Sequence, residues 1–134
     1  MRSRMIIGAA GAALALGLGL STTQVHAADA RASACGYDVC ASTTNGSATL
    51  YLDRWAGSVW DVCDDARDGM RAMATVRYAG QTLNLQTTAG EGSCSSPRSF
   101  YPTPGSGATI SYTVWVQDGA NGTPRYSRSG SYTW

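Results

Sequence analysis

The stretch ATISYTVWVQ, residues 108–117, decides the fold class of this chain. Its apolar residues occupy every second position, which is the period of a β-strand with one buried face. They are Ile110, Tyr112, Val114 and Val116. The residues between them are polar except for Trp115, so a strand here turns Trp115 away from the core. We therefore predict a strand over Ala108–Gln117.

Other segments of the chain show similar short alternating patterns separated by turn residues. We predict strands at Val39–Thr43, Ser47–Asp53, Ser58–Cys63, Met70–Tyr78, Gln81–Thr87 and Arg125–Trp134. Asn45-Gly46 favours a tight hairpin, and residues 88–107 are predicted to form a long loop. No segment has the sustained 3.6-residue apolar period of a helix. The expected fold is an all-β, antiparallel β-sandwich of about seven short strands, with a bulge expected at Gly130.

The first 27 residues have the layout of a secretory signal peptide. A basic start precedes an uncharged apolar run over Met5–Leu20, and Val25-His26-Ala27 suits cleavage after Ala27. This run is shorter than the roughly 20 residues that span a bilayer, which favours a signal peptide over a retained anchor. We predict a flexible leader at 28–34 and one domain at 35–134, in a secreted, extracellular protein with no membrane span in its mature form.

All four cysteines follow the predicted cleavage site. An even number of cysteines in a small secreted chain indicates disulfides, here two. Three pairings are possible, and we favour Cys35–Cys40 with Cys63–Cys94 because short loops close most easily. A zinc site is the alternative, but the cysteine spacing is unlike that of common zinc sites and export favours oxidation.

Several kinds of chemistry have no residues to support them in the exported part. The only histidine is His26, in the predicted signal peptide, and the chain has no lysine. Histidine-dependent nucleophilic catalysis and lysine chemistry are therefore excluded from the exported part. Ten arginines and nine acidic residues nearly balance, which argues against binding to nucleic acid or to an anionic membrane.

Carboxylates are the remaining candidates for catalysis or metal binding. A carboxylate pair can cleave glycosidic bonds, but most aspartates here fall in predicted turns, where they bond their own backbone. The densest group is Asp61, Asp64, Asp65 and Asp68. Its spacing does not match an EF-hand, so a solvated turn is favoured over a structural calcium site. We expect no catalytic residue, no metal ligand and no cofactor.

Aromatic residues that point away from the core are the best candidates for ligand contact. Tryptophan and tyrosine present a flat apolar face with a polar group, which suits sugar stacking and protein interfaces. Tyr51 and Trp115 have the outward parity of their strands, and Gln117 shares the face of Trp115. We predict these three as binding residues.

The cysteine-containing turn resembles one known group of proteins. Cys63-Asp64-Asp65-Ala66-Arg67-Asp68-Gly69, followed by an arginine-containing alternating strand and Gly92-Ser93-Cys94, is similar to the small secreted β proteins of actinomycetes. That resemblance implies no activity. Two disulfides in a short secreted β chain also resemble the tendamistat-type α-amylase inhibitors, but their Trp-Arg-Tyr motif is missing and no site residue carries over.

Two functions remain in view from the sequence. The favoured one is a non-catalytic secreted binding module for extracellular polysaccharide, cell envelope or protein. The alternative is an inhibitor of a secreted protease or amylase, in which residues 88–107, tied by Cys94, would form a pre-organised loop. A structural surface protein is a third possibility, and the oligomeric state stays open.

Overall fold

The computed structural model describes residues 35–134. The predicted signal peptide at 1–27 and leader at 28–34 lie outside the described residues. The described chain forms seven strands and no helix, which confirms the all-β prediction. They are β1 (Val39–Ser42), β2 (Ala48–Asp53), β3 (Val59–Asp64), β4 (Arg71–Tyr78), β5 (Gln81–Thr87), β6 (Thr109–Gln117) and β7 (Arg125–Thr133).

The strands form two antiparallel sheets that face each other across one core. The first sheet has the order β1-β2-β3 and the second has the order β5-β4-β6-β7. The buried positions alternate along most strands, as expected where one face of a sheet is covered. The largest fully buried side chains are Trp60, Leu50, Leu52, Ile110, Val62, Val76, Val114 and Val116. They come from both sheets, so the core lies between them.

The two disulfides join Cys35 to Cys40 and Cys63 to Cys94, which confirms the favoured pairing. The Cys63–Cys94 bond holds part of the long loop against β3. Cys94 and Arg98 form isolated antiparallel bridges with Cys63 and Trp60. The loop therefore covers the free edge of β3, and the unpaired backbone groups of that edge are satisfied.

The bulge of the last strand lies elsewhere than predicted. Gly130 pairs regularly with Tyr112, and the register shift falls between Val114 and Val116. On β7 the irregular residue is Tyr126, whose φ of 55° is in the left-handed region. Gly130 is required for a different reason, since an added Cβ there would lie 2.5 Å from the Tyr112 hydroxyl oxygen. Gly130 thus lets the Tyr112 ring cross the strand.

Two features bear on where the protein acts. Disulfides fit an extracellular protein, because they persist in oxidising compartments. The described part of the chain has no helix long and apolar enough to cross a membrane.

Candidate functional site

The structure does not bring the predicted binding residues into one site. Tyr51 alternates with the buried residues Leu50 and Leu52 of β2, so it lies on the outer face of the first sheet. Trp115 lies between the buried Val114 and Val116 of β6, on the outer face of the second sheet. The two aromatic rings are therefore on opposite sides of the sandwich.

Trp115 is held on its sheet face by a hydrogen bond and by its neighbours. It is half-buried, its indole N–H donates to Gln117 Oε1 at 2.8 Å, and it is paired with Met73 of β4. A shallow depression of about 380 Å³ borders the ring. Its lining residues are Thr75, Arg77, Thr113, Trp115, Pro124 and Ser127. The polar edge of the indole is thus already satisfied within the protein.

Gln117 supports the turn after β6. Its side chain is 5% exposed, and its amide nitrogen donates to the carbonyl oxygens of Gly119 and Ala120 at 3.1 and 2.9 Å. Since its amide oxygen accepts the Trp115 N–H, both ends of the amide are in use. Gln117 therefore positions Trp115 and the turn, and its amide is not turned toward solvent.

Tyr51 packs within the first sheet's outer face. It is half-buried, and its ring lies 4.9 Å from that of Tyr37, centroid to centroid. Burial raises the pKa of Tyr51, and the negative charge of Asp65 adds to this, while a hydrogen bond with Thr49 acts in the opposite direction. The Tyr51 hydroxyl is accordingly protonated at neutral pH. It can donate and accept hydrogen bonds, but it does not act as a base.

The acidic group at the end of β3 is used by the local backbone. Asp64 Oδ1 accepts from the Ala66 N–H, Asp68 Oδ1 accepts from the Met70 N–H, and Asp65 Oδ2 accepts from the Thr49 hydroxyl. Burial raises the pKa of Asp64, and the nearby carboxylates raise it further, against the hydrogen bond from Ala66. These oxygens point to separate partners.

One cluster among residues 35–134 has the ligand spacing of a metal site, but its chemistry is different. It consists of Asp61 and the two sulfur atoms of Cys63 and Cys94. Those sulfur atoms are bonded to each other, so neither is the thiolate that a metal requires. Burial and the charge of Asp53 raise the pKa of Asp61.

A second aromatic surface, which the sequence did not single out, lies at the end of the sandwich where β2 turns into β3. We refer to it as the end cleft. It has a volume of about 310 Å³. Its lining residues are Asp38, Arg54, Trp55, Ser58, Thr103 and Trp134. They come from four separate stretches of the chain, which only the fold brings together.

Trp55 stands at the tip of the β2–β3 turn and is 96% exposed. The turn beneath it is fixed by carboxylates. Asp53 Oδ1 accepts the backbone N–H groups of Trp55 and Ala56, each at 2.9 Å, and Asp38 Oδ2 accepts that of Arg54 at 2.9 Å. Such side-chain bonds hold a turn in one conformation. The Trp55 ring is therefore presented to solvent on a pre-organised backbone.

Arg54 and Trp134, which both line the end cleft, contact each other. The guanidinium carbon of Arg54 lies 4.8 Å from the Trp134 ring centroid, within the range of a cation–π contact. Its Nη1 donates to the Tyr132 hydroxyl at 3.3 Å. Among the described residues no carboxylate forms an ion pair with Arg54. The cation is thus oriented by aromatic rings and keeps N–H donors for a ligand.

The signal for this site was present in the sequence but lay outside a strand pattern. Asp53-Arg54-Trp55-Ala56-Gly57 interrupts the alternation of two strands, and a tryptophan at such a turn has no buried face to fill. Asp38, Thr103 and Trp134 carried no comparable signal, since their approach depends on how the two sheets pack.

Fold and site together define a small, disulfide-bonded β-sandwich with an aromatic cleft at one end. Comparison of the chain with protein-family models, with curated proteins and with solved structures finds no match.

Proposed function

We propose that this chain is a secreted, non-catalytic binding module that holds an extracellular ligand in the end cleft. The observation that carries the proposal is the exposure of Trp55 on a turn fixed by Asp53 and Asp38. Because the backbone beneath the ring is already fixed, that backbone has little conformational freedom left to lose when a ligand covers the ring. Tryptophan and arginine are also enriched among the residues that carry most of the binding energy at protein interfaces.

The residues around the cleft support binding without catalysis. Asp38 carries the one side-chain carboxylate among the residues that line the cleft, whereas glycoside hydrolysis commonly uses a pair of such carboxylates. The guanidinium group of Arg54 donates hydrogen bonds and has no acceptor, which suits it to holding a ligand. Ser58 and Thr103 contribute hydroxyl groups, but residues 28–134 contain no histidine to activate one.

The four tryptophans allow a direct test of the proposal. Each indole N–H gives a signal in a proton–nitrogen correlation spectrum, and single Trp→Phe variants assign the four. Polysaccharide and protein fractions of the culture medium would be added separately to the labelled protein. We expect a ligand to shift the Trp55 and Trp134 signals, with the buried Trp60 and the Trp115 signal nearly unchanged. A response confined to Trp115 would place binding on the other face, and no response to any fraction would reject the proposal.

An inhibitor of a secreted hydrolase is the second candidate function. The fixed Arg54-Trp55 tip favours it, since a pre-organised projecting turn can enter an enzyme's substrate cleft at low entropic cost. Assays of α-amylase and serine proteases with an excess of this protein would test it. Inhibition that disappears with Trp55→Ala and persists with Tyr126→Asn would support this candidate, whereas unchanged enzyme rates would exclude it for those enzymes.

A further inference from the structure

The groups that line the end cleft are of two kinds, and their arrangement carries information about the ligand. Trp55 and Trp134 provide aromatic rings, while Asp38, Arg54, Ser58 and Thr103 provide polar groups between and beside them. A ligand that fits must have an apolar face for the rings and hydroxyl or amide groups for the polar edge. A pyranose ring has this pattern, because its C–H groups lie on its faces and its hydroxyls point outward.

The charges of the side chains in the cleft narrow the class of ligand further. The side chains that line the cleft include one cation, Arg54, and one anion, Asp38, so their formal charges balance. An anionic ligand that Arg54 attracts would also be repelled by Asp38, and a cationic ligand that Asp38 attracts would also be repelled by Arg54, so neither charge would gain much at this site. A hydroxyl avoids the conflict because it donates to a carboxylate and accepts from a guanidinium. The balance therefore favours a neutral ligand rich in hydroxyl groups.

The volume of the cleft and the small number of exposed apolar side chains favour a sugar chain over a protein partner. A cleft of about 310 Å³ is at the lower end of the range for small-molecule sites, which suits one or two sugar rings. Stable protein interfaces commonly bury about 800 Å² on each partner. Yet of the large apolar side chains exposed among the described residues, only Trp55 and Tyr101 are more than half exposed. Such a surface is small for a stable protein interface.

We infer that the end cleft binds the neutral pyranose rings of an extracellular polysaccharide. Trp55 stacks on the face of a ring, Asp38 accepts from a ring hydroxyl, and Arg54 donates to another. Trp134 positions Arg54 through the stacking contact between them. This inference rests on the proposed binding function and adds the class of ligand to it.

The test uses neutral hexasaccharides of glucose, xylose and N-acetylglucosamine, added to the labelled mature protein. Hexagalacturonate and the glucosamine hexamer serve as the anionic and cationic probes. We expect at least one neutral probe to shift the Trp55 and Trp134 indole signals saturably, and the charged probes to bind at least tenfold more weakly. Trp55→Ala should lower the affinity at least tenfold. The control Tyr126→Asn removes an exposed aromatic ring at the other end of the sandwich and should leave the affinity unchanged.

Asp38→Asn sharpens the test, because asparagine keeps an acceptor oxygen for the Arg54 N–H but removes the negative charge. The variant should bind hexagalacturonate at least fivefold better than the parent protein does. An unchanged preference would contradict the argument from charge balance.

The failures are distinguishable. If the neutral probes leave Trp55 and Trp134 unshifted while an α-amylase or a protease shifts them, the glycan inference is wrong and binding at the cleft stands. If a charged probe binds best, the class of sugar is wrong. If the glycans shift only the Trp115 signal, or no probe or culture fraction shifts any indole, both the inference and the proposed function are rejected.

Discussion

Trp55 of the end cleft and Trp115 on the outer face of the second sheet are held in opposite ways. Trp115 is half-buried, and its N–H donates to Gln117. Trp55 is 96% exposed, and the nearby hydrogen bonds fix the backbone of its turn. The Trp115 indole thus has its hydrogen-bond partner within the protein. The Trp55 indole is open to solvent, although the backbone that carries it is fixed. The comparison shows that outward parity on a strand places a residue on the solvent side of its sheet, whereas the exposure of its ring also depends on the neighbours packed around it.

The two regions also differ in how they are built. The face around Trp115 follows from the regular register of β4 and β6. The end cleft is assembled from loops, and both disulfides lie in the segments that supply it. Asp38 lies within the Cys35–Cys40 loop, and Thr103 follows the segment that Cys94 ties to β3. Covalent bonds thus restrain chain segments that lie outside the seven strands.

Removal of the Cys63–Cys94 bond should give the largest effect. The variant C63A/C94A releases a loop of roughly 32 residues in the unfolded chain, and the loss of stability from chain entropy is about 3.7 kcal/mol. Urea unfolding of both proteins measures it. C35A/C40A is the matched control, with a loop of roughly six residues and an expected loss of about 2.2 kcal/mol. Equal losses would contradict the entropic account.

Truncation of the two tryptophans should separate the two regions directly. Trp115→Ala removes a half-buried ring and its hydrogen bond, and we expect a loss of about 2 kcal/mol, less than for a fully buried tryptophan. Trp55→Ala removes an exposed ring, and the unfolding free energy should change by less than about 0.5 kcal/mol. Unfolding curves decide between them, and a large loss at Trp55 would mean that its ring supports the fold.

Replacement of Gln117 tests whether the hydrogen bonds of its amide stabilise Trp115 and the turn after β6. Gln117→Ala leaves the carbonyls of Gly119 and Ala120 and the Trp115 N–H without their partner, at a cost of roughly 1–2 kcal/mol. The Trp115 indole signal should move in the variant, whereas the Trp55 signal should not. A variant with unchanged stability would indicate that the amide is replaceable by water.

The smallest effect should be a pH dependence of stability that arises from Asp61 in β3 of the first sheet. Burial and the charge of Asp53 raise the pKa of Asp61 in the folded protein. The folded state then binds the proton more tightly than the unfolded state, so this group lowers stability as the pH rises above the ordinary aspartate value of about 3.9. Asp61→Asn should therefore be at least as stable as the parent at pH 7, with the difference closing as the pH falls toward 4.

Thermal unfolding across this range measures the effect of Asp61→Asn. Asp118→Asn removes one negative charge from an exposed turn and controls for net charge. If Asp61→Asn lowered stability at pH 7, the ionised carboxylate would be making a favourable contact, and the sign of the argument would be wrong.

Much of the fold could be predicted from local patterns. The alternation in β6 and its neighbours predicted seven antiparallel strands, and loop length predicted both disulfides. The bulge was misplaced because Gly130 was interpreted from sequence parity. Its actual role depends on the Tyr112 ring of the neighbouring strand.

The candidate site was less predictable, and the reason is physical. Strand parity, which repeats every two residues, determined that Tyr51 and Trp115 point outward. It carries no information on which loops meet at the end of a sandwich. The approach of Asp38, Arg54, Thr103 and Trp134 was decided only by the packing of the two sheets and the pairing of residues 94–98 with β3. The sequence by itself determined the strands, because alternation is a local pattern, and loop length favoured the cysteine pairing that the structure shows. The end cleft, in contrast, depends on contacts between distant segments.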